Sequence, residues 1–120
     1  MKRVLVVDDD AAAADGLRQL LACDGYEVVA LEHPALALTE LHGSRFDAVI
    51  TDLEMPQVHG VEVVRAARAA NAGTVVLVVS AYSDSPATEE ARLAGAARIF
   101  TKPLDYDSLA DDLAARLADA

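Results

Sequence analysis

Cysteine is almost absent. Cys23 stands alone in 120 residues, so neither a disulfide framework nor a thiolate metal cage is available. Set in the run LRQLLACDGY, it reads as a small buried hydrophobe of a helix. Aromatic residues amount to 4%, with no tryptophan, which leaves little for stacking on single-stranded bases. Basic residues are outnumbered, ten against twenty acidic ones, for a formal charge of −10. So negative a surface repels phosphate backbones, and direct nucleic-acid binding is not expected. The apolar runs Val4–Val7 and Val75–Val79 are far too short to cross a bilayer, so no membrane association is expected. Lys2 and Arg3 precede an apolar run that stops at Asp8, which does not make a secretion signal; a cytoplasmic location is expected.

What the chain does have is a core. Apolar residues make up 53% and charged residues 25%, which excludes a disordered acidic tail. The length predicts one domain over residues 1–120, large enough to hide roughly two thirds of its unfolded surface. Five short segments rich in Val and Ile read as strands: Val4–Val7, Glu27–Leu31, Phe46–Thr51, Thr74–Val79 and Arg98–Phe100. Several lack polar alternation, as strands covered on both faces of a parallel sheet do.

Helical patterns fill the gaps. The first spans about Ala11 to Cys23, with Ala14, Leu17 and Leu21 inward and Asp24-Gly25 as its stop. The second starts at Pro34 and buries Leu38 and Leu41; the third follows Gly60 with Val61 and Val64 and runs to Asn71. The fourth, about Pro86 to Leu93, offers only Ala87, Ala91 and Ala94 as an inner face, so it is expected to be the most weakly anchored. The fifth carries Leu109, Leu113 and Leu117 at helical spacing. The order is (βα)5, an α/β open parallel sheet with helices on both faces.

In such sheets the site lies at the carboxyl ends of the strands. Those ends hold Asp8-Asp9-Asp10, Thr51-Asp52, Ser80 and Thr101-Lys102-Pro103. Each has an ordinary explanation alone. Asp10 reads as the N-cap of the first helix, and the acidic run taken by itself is equally well a helix start. Lys102 would be a solvated turn lysine and Ser80 a loop-start hydroxyl. Asp52 resists this, because it follows Ala48-Val49-Ile50, where burial disfavours a charged carboxylate. Clustered carboxylates repel unless they share a cation, and hard oxygen ligands without His or Cys favour Mg2+ or Mn2+ over zinc. Lys102 then supplies positive charge for phosphate oxygens and Ser80 a hydrogen-bond donor. Asp52 is left as the nucleophile, forming an acyl phosphate.

These residues resemble the receiver domain of bacterial two-component response regulators over essentially the whole chain. The marks are KRVLVVDDD, FDAVITDLEMP with Gly60 eight residues past Asp52, VVLVVSAYSD and ARIFTKP. The resemblance implies a doubly wound, flavodoxin-like strand order 2-1-3-4-5. It implies Asp52 as phosphoacceptor, Asp8 and Asp9 as metal carboxylates, the backbone carbonyl of Glu54 as a further metal ligand, and Ser80 and Lys102 as the phosphoryl-contacting pair. A cis peptide before Pro103 is implied too. So are a sensor histidine kinase or phosphotransfer protein as donor, and an output domain or downstream protein as target. The readout face, a homodimer contact in some members, would comprise the fourth helix, fifth strand and fifth helix. Such a chain is a switch that promotes transfer to itself, not a turnover enzyme.

Two positions depart from the pattern. Ile99 replaces the aromatic residue that most relatives carry three positions before the lysine, and it lacks a hydroxyl and is stiff at χ1. Tyr82 is either a substitute for that aromatic or an exposed loop tyrosine. Glu54 and Tyr82 also occupy positions that tune hydrolysis of the acyl phosphate in relatives. His33, His42 and His59 are too far apart for a metal triad and read as surface residues, as do Arg65, Arg68, Arg92 and Arg98.

Three other readings compete. A haloacid-dehalogenase-like phosphotransferase needs a second Asp two residues after the nucleophile, where this chain has Glu54. A flavodoxin-like cofactor binder needs a phosphate-cradling loop after the first strand, and the acidic run would expel phosphate. A degenerate receiver serving only as a docking module is opposed by the complete set Asp8, Asp9, Asp52, Ser80 and Lys102, while Ile99 speaks for it.

Overall fold

Strands and helices alternate along the chain: β1 (Arg3–Val7), α1 (Ala11–Cys23), β2 (Glu27–Leu31), α2 (Pro34–Gly43), β3 (Ala48–Asp52), α3 (Gly60–Ala70), β4 (Val75–Ser80), α4 (Pro86–Ala94), β5 (Arg98–Thr101) and α5 (Tyr106–Ala118). This is a computed structural model, and it describes residues 1–118. The expected domain end at residue 120 lies outside the described residues. All four strand pairings are parallel, in the order β2-β1-β3-β4-β5. The order reverses at β1, which pairs with β2 on one side and β3 on the other, so a crevice opens above the ends of β1 and β3.

Strand side chains alternate between two cores. Leu5, Val7, Val49, Val76 and Val78 face α2, α3 and α4, where they meet Ala37, Leu41, Val64, Ala67 and Ala91. Val4, Val6, Ile50, Leu77 and Val79 face α1 and α5, where they meet Ala14, Leu21, Leu109, Leu113 and Leu117. With both faces covered, the central strands need no polar alternation, and β3 is buried throughout. Asp10 caps α1, accepting from the backbone N–H groups of Ala12 and Ala13 at 3.0 and 3.3 Å. No helix among the described residues is long and apolar enough to cross a membrane.

Several expectations are corrected. Cys23 is exposed: it lies two residues past buried Leu21, about 200° round the helix and on the far side. Leu38 is only half-buried, because the inward stripe of α2 runs through Pro34, Ala37 and Leu41. On α4 Ala87 points outward, and Thr88 and Ala91 are the buried pair. β3 begins at Ala48 instead of Phe46, whose carbonyl accepts the Thr74 hydroxyl at 2.8 Å. Arg68 is more than a solvated charge: its guanidinium donates to the carbonyls of Ala72 and Thr74 at 2.6 and 3.1 Å, closing the end of α3.

Candidate functional site

β1 and β3 are adjacent and in register, with Val7 opposite Thr51, so the residues that follow them share one crevice. Carboxylate oxygens of Asp8, Asp9 and Asp52 there lie within 4.8 Å of one another. Asp10, the third acid of the run, is taken up by the cap of α1, while its own N–H donates to Asp8 Oδ1 at 2.9 Å. The donor set is oxygen only, the kind that suits Mg2+ or Mn2+, and the repulsion of three close carboxylates is what a shared divalent ion relieves.

Asp52 is 4% exposed. Burial pushes its carboxyl above the ordinary range; the Lys102 ammonium pulls it back, and the charges of Asp8 and Glu54 push it up again. Burial also raises Asp8, against the Asp10 N–H and Lys102. Lys102 reaches in from the end of β5, placing Nζ 3.0 Å from Asp52 Oδ1; that buried oxygen has this charge partner and no well-aligned hydrogen bond among the described residues. Partial burial alone would lower the lysine, but Asp52, Asp8 and Glu54 outweigh it and hold the ammonium above its usual range. The Lys102–Pro103 peptide is cis.

Ser80 ends β4 and is fully buried, and its carbonyl accepts the Lys102 N–H at 2.9 Å. Glu54 does something the sequence did not disclose. Its carboxylate accepts the Ser80 hydroxyl at 2.6 Å and the Ala81 N–H at 2.7 Å. These partners lie 26 and 27 residues away along the chain, and only the β3–β4 pairing brings them together. Gly60 explains its own identity: a Cβ there would collide with the Asp52 carbonyl and sit 2.7 Å from Leu53 Cα. Any larger residue would push α3 off the strand end that carries Asp52.

Ile99 is half-buried and packs on the α3–α4 side of the sheet, whereas Phe100 is buried on the α5 side beneath the Arg98 guanidinium, 4.6 Å from the ring centroid. Tyr82 is 62% exposed, the placement of a loop tyrosine. His33, His42 and His59 are exposed and outside the carboxylate cluster.

Comparison with known proteins gives a consistent result. A family model described as the response regulator receiver domain matches residues 4–114. A response regulator receiver protein of Anaeromyxobacter sp. (strain Fw109-5) is 35% identical over 111 residues, covering 92% of this chain and 47% of its own length. The transcriptional regulatory protein ZraR of Escherichia coli (strain K12) is 35% identical over 115 residues, 96% of this chain and 26% of that one. The chain thus spans about half or less of the length of these curated relatives. Among solved structures, a CheY-like response regulator receiver domain protein from Methanospirillum hungatei superposes with a TM-score of 0.93 at 27% identity, covering 99% of this chain and 95% of that one. The response regulator TrrA from Thermotoga maritima, in complex with Mg2+ and beryllium fluoride, superposes with a TM-score of 0.85 at 30% identity, covering 97% and 99%.

Proposed function

The chain belongs to the response regulator receiver domain family, and from that premise we propose that it is a signalling switch operated by phosphorylation of Asp52. The observation that carries this reading is a single buried carboxylate with an ammonium 3.0 Å away and two further acids close enough to share an ion. In the proposed reaction a carboxylate oxygen of Asp52 forms a bond to phosphorus as the phosphorus–nitrogen bond of a phosphohistidine donor breaks. Lys102 neutralises charge on the transferred oxygens. Asp8, Asp9 and Asp52, with the backbone carbonyl of Glu54, would hold Mg2+ or Mn2+, which when bound supplies positive charge to the acids and the phosphoryl oxygens. The complex of TrrA with Mg2+ and beryllium fluoride supports this choice of ion.

Phosphorylation adds roughly one negative charge and new acceptor oxygens beside Ser80. Ser80 turns to them, and the 81–85 loop and α4 follow, shifting the population toward a second form. The readout face is α4, β5 and α5, and α4 carries an exposed Leu93. It serves an output domain, a downstream protein or a second copy of this chain. A sensor histidine kinase or phosphotransfer protein supplies the phosphoryl group. Residues 1–120 act as one receiver unit that modifies itself and turns over no external substrate. Tyr82 and the Glu54 side chain set the lifetime of the acyl phosphate, and unchanged hydrolysis rates in Tyr82→Ala and Glu54→Gln would remove that role.

The test is incubation with acetyl phosphate and Mg2+ followed by a phosphate-affinity gel. Wild type shifts and Asp52→Ala does not; a shift that survives Asp52→Ala contradicts the assignment.

A further inference from the structure

Of the acids around the site, Glu54 alone is bound through both side-chain oxygens to groups on β4 and the loop after it: Oε2 takes the Ser80 hydroxyl at 2.6 Å and Oε1 the Ala81 N–H at 2.7 Å. Both are short, as charge-assisted bonds are. A serine hydroxyl carries one proton and a backbone amide carries one proton. With both given to Glu54, neither donor is left for another anion. Ser80 is fully buried, and its oxygen is further fixed by accepting the Tyr82 N–H at 3.0 Å, which leaves its proton aimed at Glu54.

The same two donors stand next to Asp52. The register pairs Asp52 with Val79, one residue before Ser80, and the Leu53 N–H donates to the Val79 carbonyl at 2.9 Å. Lys102, in contact with Asp52, donates its N–H to the Ser80 carbonyl at 2.9 Å. An anion built on Asp52 therefore forms beside a strand end whose two neutral donors, one and two residues past its register partner, are already occupied by a carboxylate.

We propose that Glu54 is a resident anion: in the unmodified chain its carboxylate holds the Ser80 hydroxyl and the Ala81 N–H, and phosphoryl capture at Asp52 displaces it from both. This rests on Asp52 being the phosphoacceptor. The exchange is one anion for another at the same pair of protons, so it sets a threshold for capture and ties release of Glu54 to the rotation of Ser80. Because the Ser80 hydroxyl also holds the Tyr82 N–H, and Ser85 at the end of that loop caps α4 with its side chain, the displacement is passed along the 82–85 loop to the first turn of α4.

The test compares wild type with Glu54→Asp and Glu54→Ala, all of which keep the main-chain carbonyl of position 54. Glu54→Asp is the decisive variant, since it retains the charge but is one methylene too short to hold both donors. Hydrogen exchange at the Ala81 amide is measured by NMR without any anion, and fluoroberyllate is then titrated with Mg2+ present as a phosphoryl mimic. Both variants should speed Ala81 exchange about tenfold and bind fluoroberyllate about 3- to 10-fold more tightly than wild type, the loss of a charge-assisted competitor. Binding centred on Asp52 with no gain in Glu54→Asp overturns the displacement and leaves simple charge repulsion. Unaltered Ala81 exchange in both variants overturns it as well. Fluoroberyllate binding by none of the three proteins overturns the phosphoacceptor reading itself, and the displacement with it.

Discussion

Burial raises the carboxyl pKa of Asp52 and of Asp8, and the Lys102 and Asp10 contacts offset this only in part. A carboxyl group whose folded pKa is raised contributes stability that is complete below its unfolded pKa and lost as pH climbs through the raised value. Holding both carboxylates ionised in the ion-free chain therefore costs stability. Asp52→Asn should melt higher than wild type in the presence of a chelator, because Lys102 is 41% exposed at its side chain and finds water once its partner is neutral. A lower melting temperature would contradict this. Gly60→Ala makes the opposite prediction: its Cβ meets backbone, which cannot step aside, so unfolding by denaturant should show a loss of about 1–3 kcal/mol. The placement of Asp8, Asp9, Asp52, Ser80 and Lys102 at one edge was legible in the sequence because each ends or follows a strand and parallel strands end on one edge. The grip of Glu54 on Ser80 and Ala81 was not, since it exists only after β3 and β4 pair.

Helices differ here in how much they bury. α5 inserts Leu109, Leu113 and Leu117, whereas α4 buries only Thr88 and Ala91. Apolar area sets the anchoring, so amide exchange should be faster across α4 than across α5, and equal protection would count against α4 as the moving part. What α4 lacks in area it recovers at its start. Thr88 Oγ1 accepts the Ser85 N–H at 2.9 Å, while the Ser85 hydroxyl accepts the Thr88 N–H at 3.1 Å. Thr88→Ala should cost about 1 kcal/mol, read as faster exchange within α4 while the amides of β1 and β3 keep their protection. Slowed or unchanged exchange in α4 would show that the cap does not hold it. The existence and order of the helices followed from apolar spacing, but their facing was less secure. Ala87 and Thr88 are neighbours, and a helix of small residues gives no hydrophobic stripe to choose between them. Cys23 failed for a related reason: an apolar neighbourhood in sequence says little about the direction of the last residue of a helix.

Across the chain as one body, a charge of −10 and three acids gathered at the reversal of strand order make the crevice the place where a divalent cation gains most. An ion that binds only the folded form stabilises it by about 1.4 kcal/mol at ten times its dissociation constant, a rise of roughly 4–8 °C in melting temperature for a small domain. Mg2+ should produce such a rise in wild type and little in Asp9→Asn, as followed by thermal melting; an equal rise in the variant would place the ion elsewhere. The apolar strands by themselves implied only a parallel sheet covered on both faces; the reversal at β1 was legible through the family resemblance, which implies the order 2-1-3-4-5. Which atom takes the phosphoryl group decides whether the chain is a switch of this kind. After incubation with acetyl phosphate and Mg2+, borohydride reduction converts an acyl phosphate to the corresponding alcohol, so peptide mass spectrometry names the modified residue. Homoserine at position 52 and at no other acid is the predicted result; homoserine at Asp8 or Asp9, or none anywhere, would contradict it.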